Sequence, residues 1–258
     1  MNLTSKGSHS HFSRSIWADF IRGTLDGRNL DDSAEEPGFS HQTAFNMRHK
    51  VLMAFQNMPE KKPVILSGVA ELDETFVPDC YKGNRLPGEV ESDARKHGAK
   101  AVKRVILSEY VAICTGIQRD GKAVAETVNR AKPSGRELCG IFSTHIAEDT
   151  LVLTDGLRSY KSLEAATGCT VVNVNTEKGK KIFNLNVVNS LHSYIKGMYG
   201  HYRGVATKYI NRYNALFSIA FRCADSLAES LFHSLCNIGN SCCWHGVYDV
   251  RNYNLVVL

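Results

Sequence analysis

Long hydrophobic runs are missing from this chain. No run of about 18 apolar residues occurs, the length a membrane helix needs, so no membrane span is expected. No apolar signal core opens the sequence. Eight cysteines are present, at Cys80, Cys114, Cys139, Cys169, Cys223, Cys236, Cys242 and Cys243, but no CxxC pair occurs and none precedes Cys80. Without a secretory signal this argues against a disulfide framework and points to a reducing cytoplasm. His233 and His245 lie among the last cysteines, at a spacing that fits no standard zinc-ligand pattern. No internal repeat is visible, which excludes a solenoid. Charge of one sign is also scarce. The 31 basic and 26 acidic residues leave a net charge of +5, which permits a polyanionic partner without requiring one. What is present is globular material. With 43% hydrophobic and 22% charged residues, 258 residues suit one domain of moderate size and a small one.

Residues 1–14 are rich in Ser and His and read as a frayed lead-in. Ser15 reads as an N-cap before Ile16, Trp17, Phe20 and Ile21, an apolar stripe at helical spacing that Gly27 ends. A short segment from Leu30 to Glu36 follows, then the break Pro37-Gly38, then Ser40 capping a longer helix over 41–58. This is the order of a helix-turn-helix. Its last helix carries Arg48, His49 and Lys50, cations suited to phosphate contact. The alternative is a plain three-helix bundle with a charged outer face. The polar linker Pro59–Pro63 marks a boundary, giving regions of 1–60, 61–217 and 218–258.

The second region opens on an apolar run from Val64 into Glu71-Leu72-Asp73-Glu74-Thr75-Phe76-Val77. Its β-branched and aromatic residues favour a strand. On a strand Glu71 and Asp73 share one face and Glu74 takes the other. Either these acids lie on a solvated face or they bind something. Residues 82–104 form a long basic loop, useful beside acids if the substrate is a polyanion, and otherwise a solvated insertion. Strands are expected at 111–117 and 123–128, joined at Asp120-Gly121 by a hairpin turn. Pro133-Ser134 opens a helix reaching Ala147. A buried strand from Thr150 ends in Asp155-Gly156, and a helix near 157–166 and a strand at 170–174 follow. This order predicts an α/β mixed sheet flanked by helices, as in ribonuclease-H-like nucleases, preceded by the small all-α unit.

Residues 186–203 form an amphipathic helix on a wheel of about 100° per residue. Asn186, His192, Ser193, Lys196, Gly200 and Arg203 fall around Asn189, while Val187, Val188, Leu191, Tyr194, Ile195, Met198 and Tyr202 fall opposite.

Three stretches together resemble the catalytic segments of bacterial insertion-sequence transposases of the ISXO2-like group. They are Glu71 to Val77, Leu153-Thr154-Asp155-Gly156 with Tyr160 and Leu163, and Asn186 to Lys196. His201 to Tyr209 and Thr43 to Lys50 extend the resemblance, which runs from about Ser15 to Phe217. It implies a ribonuclease-H-like DDE transposase in an Asp-Asp-Asn variant, cutting and rejoining DNA at transposon ends. Asp73 and Asp155 match the first two acidic positions, Asn189 the third metal ligand and Lys196 the basic residue beyond it. Two Mg²⁺ ions, replaceable by Mn²⁺, are the implied cofactors. Terminal repeats and target DNA are the implied partners, bound by a homo-oligomer. Arg48, His49, Lys50, Arg203 and Lys208 are the expected DNA contacts. Such proteins commonly carry a zinc ribbon before the helix-turn-helix. It is lacking here, so the chain reads as a fragment or the product of an internal start. Residues beyond Arg222 depart from the resemblance and read as a frameshifted or recombined tail. A hydrolytic nuclease of the same fold and a catalytically inactive DNA-binding remnant stand as alternatives.

Overall fold

The computed structural model describes residues 12–35, 37–56, 64–80, 110–119, 121–130, 132–176, 183–218 and 220–221. The start of the lead-in, the linker at 59–63, the basic loop at 82–104, Asp120 and the tail beyond residue 221 lie outside them. The chain divides into two compact units. Among described residues, 64–192 and 204–211 belong to a sheet unit, and 12–56, 193–203 and 212–221 to a helical unit.

Five strands make the sheet: β1 Val69–Pro78, β2 Tyr110–Gln118, β3 Ala123–Arg130, β4 Leu151–Thr154 and β5 Thr170–Asn173. Their spatial order is β3-β2-β1-β4-β5. β1 pairs antiparallel with β2, and β2 with β3, while β4 pairs parallel with both β1 and β5. Parallel neighbours need a crossover connection, and α4 (Gly135–Phe142) lies between β3 and β4 in the chain. This mixed sheet has the ribonuclease-H-like order. Leu72 on β1 joins Leu138 and Phe142 of α4, Tyr160 of a 3₁₀ turn (Arg158–Lys161) and Leu163 of α5 (Ser162–Thr167) in one buried core. These residues line the sheet face that bears Ala70 and Leu72.

Two boundaries differ from expectation, each for a backbone reason. β1 starts at Val69 and not at Val64, because Gly68 takes φ +67° and Leu66 bridges Ile146 instead. That bridge also ends α4 early. The Leu66 amide donates to the His145 carbonyl at 2.7 Å and the Ala147 amide to the Leu66 carbonyl at 2.9 Å, so Ile146 pairs with Leu66 after a turn instead of continuing the helix. The start of α4 is firm, since Ser134 and Glu137 form a reciprocal capping box of the kind worth about 1 kcal/mol.

The helical unit contains α1 (Arg14–Leu25), α2 (Leu30–Glu35) and α3 (His41–Gln56). Ser13, not Ser15, caps α1, accepting from the Ile16 amide. Ser40 caps α3 through the Thr43 amide at 3.1 Å. The polar helix predicted at 186–203 is α6 (Asn186–His201), whose residues up to His192 belong to the sheet unit. It buries Val188, Leu191, Ile195 and Met198 and exposes Asn186, Asn189, Ser193, Lys196 and Gly200. Among the described residues no helix is long and apolar enough to cross a membrane.

Candidate active site

Alternation along β1 separates its three acids. Glu71 and Asp73 point to the face that receives the start of α6, and Glu74 points into the side packed by Tyr160. The parallel register of β1 with β4 runs Val69↔Leu151, Ala70↔Val152 and Glu71↔Leu153. Asp73 lies two residues beyond Glu71 and Asp155 two beyond Leu153, so the same register carried past its last pair would bring the two acids to neighbouring positions. Asp155 is the first residue past β4, and its Oδ1 accepts from the Leu157 amide at 3.0 Å. Gly156 follows at φ +95° with Asn173 of β5 against it. A Cβ there would lie 2.1 Å from the Asn173 Nδ2, so the turn that presents Asp155 requires glycine.

Glu71 is fully buried, and its work is done on α6. One carboxylate oxygen accepts from the amides of Val187 and Val188, each at 3.0 Å. The other lies 3.5 Å from the Arg119 Nε.

His192 was placed with the exposed polar residues of α6 by the wheel, but it is only 7% exposed. Its Nε2 lies 2.6 Å from the Thr115 Oγ1, and its Nδ1 lies 3.9 Å from the Asp73 Oδ2. Thr115 stands opposite Asp73 on β2 and donates its hydroxyl hydrogen to the Asp73 carbonyl at 2.7 Å. A hydroxyl has one hydrogen, so in the bond to Thr115 the donor is the His192 Nε2–H. The imidazole is thereby oriented with Nδ1 toward the Asp73 carboxylate.

On the opposite side of β1, burial pushes the Glu74 carboxyl up to about 7, an effect opposed by the nearby Tyr160 hydroxyl and reinforced by the charges of Asp73 and Asp155. The same burial, with Glu74 nearby, drives the Tyr160 phenol well above its ordinary value. Glu74 therefore belongs to the packed side, as its alternation predicts.

Asn189 is exposed on α6, one turn before His192, and Lys196 is exposed two turns further on. Arg203 is exposed with φ +54°, and Lys208 is half-buried with its Nζ 5.1 Å from the Tyr209 ring. The DNA contacts expected on α3 need correction. Arg48 is 1% exposed. Its guanidinium donates to the Arg28 carbonyl at 2.7 Å and lies over the Tyr202 ring at 4.6 Å. His49 is fully buried, its ring 4.3 Å from that of Phe45. Neither reaches a phosphate from these positions. Lys50 is half-exposed on the other side of the helix.

Sequence reasoning missed the tie between Glu71 and α6 and the link from His192 to Thr115. The signal for the first was a fully apolar residue, Leu185, where a helix cap belongs. That left donors for a distant acceptor to satisfy.

Among the described residues no group of three or more His, Cys, Asp and Glu stands ready to hold a metal ion. Carboxylate and amide oxygens are of the donor type that Mg²⁺ takes, and that ion is commonly held through one or two carboxylates and completed by water and substrate phosphate.

The family model of the ISXO2-like transposase domain matches residues 65–223. No curated protein matches the chain in sequence. Solved structures that resemble it are distant. A pre-cleavage Mos1 transpososome shares 11% identity over 92% of this chain and 83% of its own, with a TM-score of 0.32. A Mos1 transposase paired-end complex with the left transposon end shares 12% over 98% and 83%, at 0.34. The Mos1 strand transfer complex shares 10% over 92% and 82%, at 0.32.

Proposed function

We propose that this chain, which belongs to the ISXO2-like transposase domain family, cleaves DNA at insertion-sequence ends and joins the freed ends to target DNA. What supports this reading is the parallel register of β1 with β4, Glu71 opposite Leu153, with Asp73 and Asp155 each two residues further along. Asp73 and Asp155 would hold divalent cations, two Mg²⁺ with Mn²⁺ as a substitute, and Asn189 would add a neutral oxygen. When bound, such ions activate the attacking oxygen and stabilise the leaving one in an in-line displacement at phosphorus. In that displacement a water or a 3′-hydroxyl forms the new P–O bond as the bond to the 3′-oxygen of the cut strand breaks. An amide brings no charge, so metal binding is weaker than a third carboxylate would give. Lys196 offsets phosphate charge as a point cation.

The α2–turn–α3 segment is the DNA-docking unit of this proposal, through Lys50 rather than Arg48 or His49. Arg203 and Lys208 are further DNA contacts of the proposal. The substrates are the terminal repeats and target DNA, engaged by more than one copy of the chain in the cytoplasm.

The test uses a labelled insertion-sequence end with Mg²⁺ and a target duplex. The wild type is expected to yield nicked and joined products. Asp73→Ala and Asp155→Ala each lower cleavage by more than about a thousandfold while leaving DNA affinity within about threefold. Nicking without joining would replace the proposal with a hydrolytic nuclease. Binding without nicking in the wild type would identify an inactive DNA-binding remnant.

A further inference from the structure

The first turn of α6 has no cap of its own. Leu185 precedes Asn186, the first helical residue, and carries no side-chain oxygen. The four leading amides of a helix need partners from elsewhere. Here each has one. The Asn186 amide donates to the Asn184 Oδ1 at 3.3 Å, and the Asn189 amide closes the first helical bond to the Leu185 carbonyl at 3.1 Å. The two between, Val187 and Val188, donate to one oxygen of Glu71 on β1.

From this we infer that Glu71 is a positioning residue: it caps α6 across the fold and thereby sets Asn189 against Asp73. The inference rests on the active-site reading above and deepens it. Glu71 lies two residues before Asp73 on the same strand face, so the cap and the first acid move as one rigid piece. Its charge faces the positive end of the helix, where a carboxylate is favoured. The Arg119 Nε lies 3.5 Å from the second oxygen, an ion-pair distance without a hydrogen bond. One turn further along, His192 is bonded to Thr115. Asn189 stands between these two fixings. A neutral amide ligand binds a hard cation weakly and depends on being held in place. Loss of an orienting partner typically costs about 10- to 100-fold in metal affinity.

The experiment uses the full chain and two readouts. In the first, Mn²⁺ is titrated by electron paramagnetic resonance into the wild type, Asp73→Ala, Glu71→Gln, Asn189→Ala and the Glu71→Gln/Asn189→Ala double variant. Each single change is expected to weaken Mn²⁺ binding by about tenfold, and the double variant to be no weaker than Asn189→Ala alone. Multiplying effects would mean that Glu71 acts independently of Asn189, and would overturn the inference. In the second, amide hydrogen exchange at Val187 and Val188 is followed without metal, where Glu71→Gln should accelerate it by about tenfold. Unchanged exchange would also overturn it. Accelerated exchange alongside Mn²⁺ binding that ignores Asp73→Ala would keep the cap and discard the active-site reading instead. If Glu71→Gln does not fold, Arg119→Gln takes its place. It should show the same coupling at about a threefold scale, and its absence would overturn the inference.

Discussion

α3 and α6 are both sixteen residues long, and they treat their cations in opposite ways. α6 exposes Lys196 and buries an almost wholly apolar stripe. α3 buries Arg48 and His49 within its stripe. The difference lies in what surrounds each helix. In the helical unit Arg48 meets the rings of Phe20 and Tyr202, and His49 meets those of Phe45 and Tyr213. Aromatic faces attract a cation, and a guanidinium is more weakly hydrated than an ammonium. A basic residue near a helix-turn-helix is therefore not a phosphate contact by default.

The largest expected effect is on α3. Arg48→Ala removes the ring contact and the bond to the Arg28 carbonyl, and should lower unfolding free energy by about 2–4 kcal/mol in urea titration. DNA affinity per folded molecule should be unchanged. A selective loss of DNA affinity at full stability would erase the contrast. Next come the exposed lysines. Lys196→Ala should slow cleavage by about tenfold or more, and Lys50→Ala should reduce the salt slope of DNA binding by about 1, with both stability changes within about 0.5 kcal/mol. The smallest effect belongs to a pair of intermediate exposure, His145 and Glu126, 3.4 Å apart. The Glu126 hydrogen bond, opposed by partial burial, raises the His145 pKa from its ordinary 6.5. A raised histidine pKa stabilises the fold fully below the ordinary value and loses that effect as pH rises through the raised one. Glu126→Gln should thus lower the melting temperature more at pH 5.5 than at pH 8.5. An equal loss at both would remove the charge from that contact.

Periodicity made much of this legible. The alternation on β1 separates Glu71 and Asp73 from Glu74 without any coordinates, and the 3.6-residue repeat of α6 yields its exposed Asn189 and Lys196. The strand order followed from the hairpin signal at Gly121 and from the helices flanking the short strand before Asp155. The same wheel on α3 places Arg48 within about 60° of Ala44, Phe45, Val51 and Leu52, in the middle of the apolar stripe. Residue type suggested a surface where position indicated a core. Long-range pairings were not legible. Leu66 with Ile146, Thr115 with His192 and Glu71 with Val187 join positions far apart in sequence, and no local pattern encodes them. Those pairings shortened α4, delayed β1 and buried His192.

The bond from Val187 to Glu71 spans 116 residues of sequence. Contacts of that span form only when the intervening chain has already found its place, and domains generally fold as units. A chain still on the ribosome, released before α6 or nicked upstream of it, can carry Asp73 and Asp155 but not the clamped helix. If the site cuts DNA, its third ligand is then withheld from every unfinished molecule, and completeness of the fold serves as the safety catch.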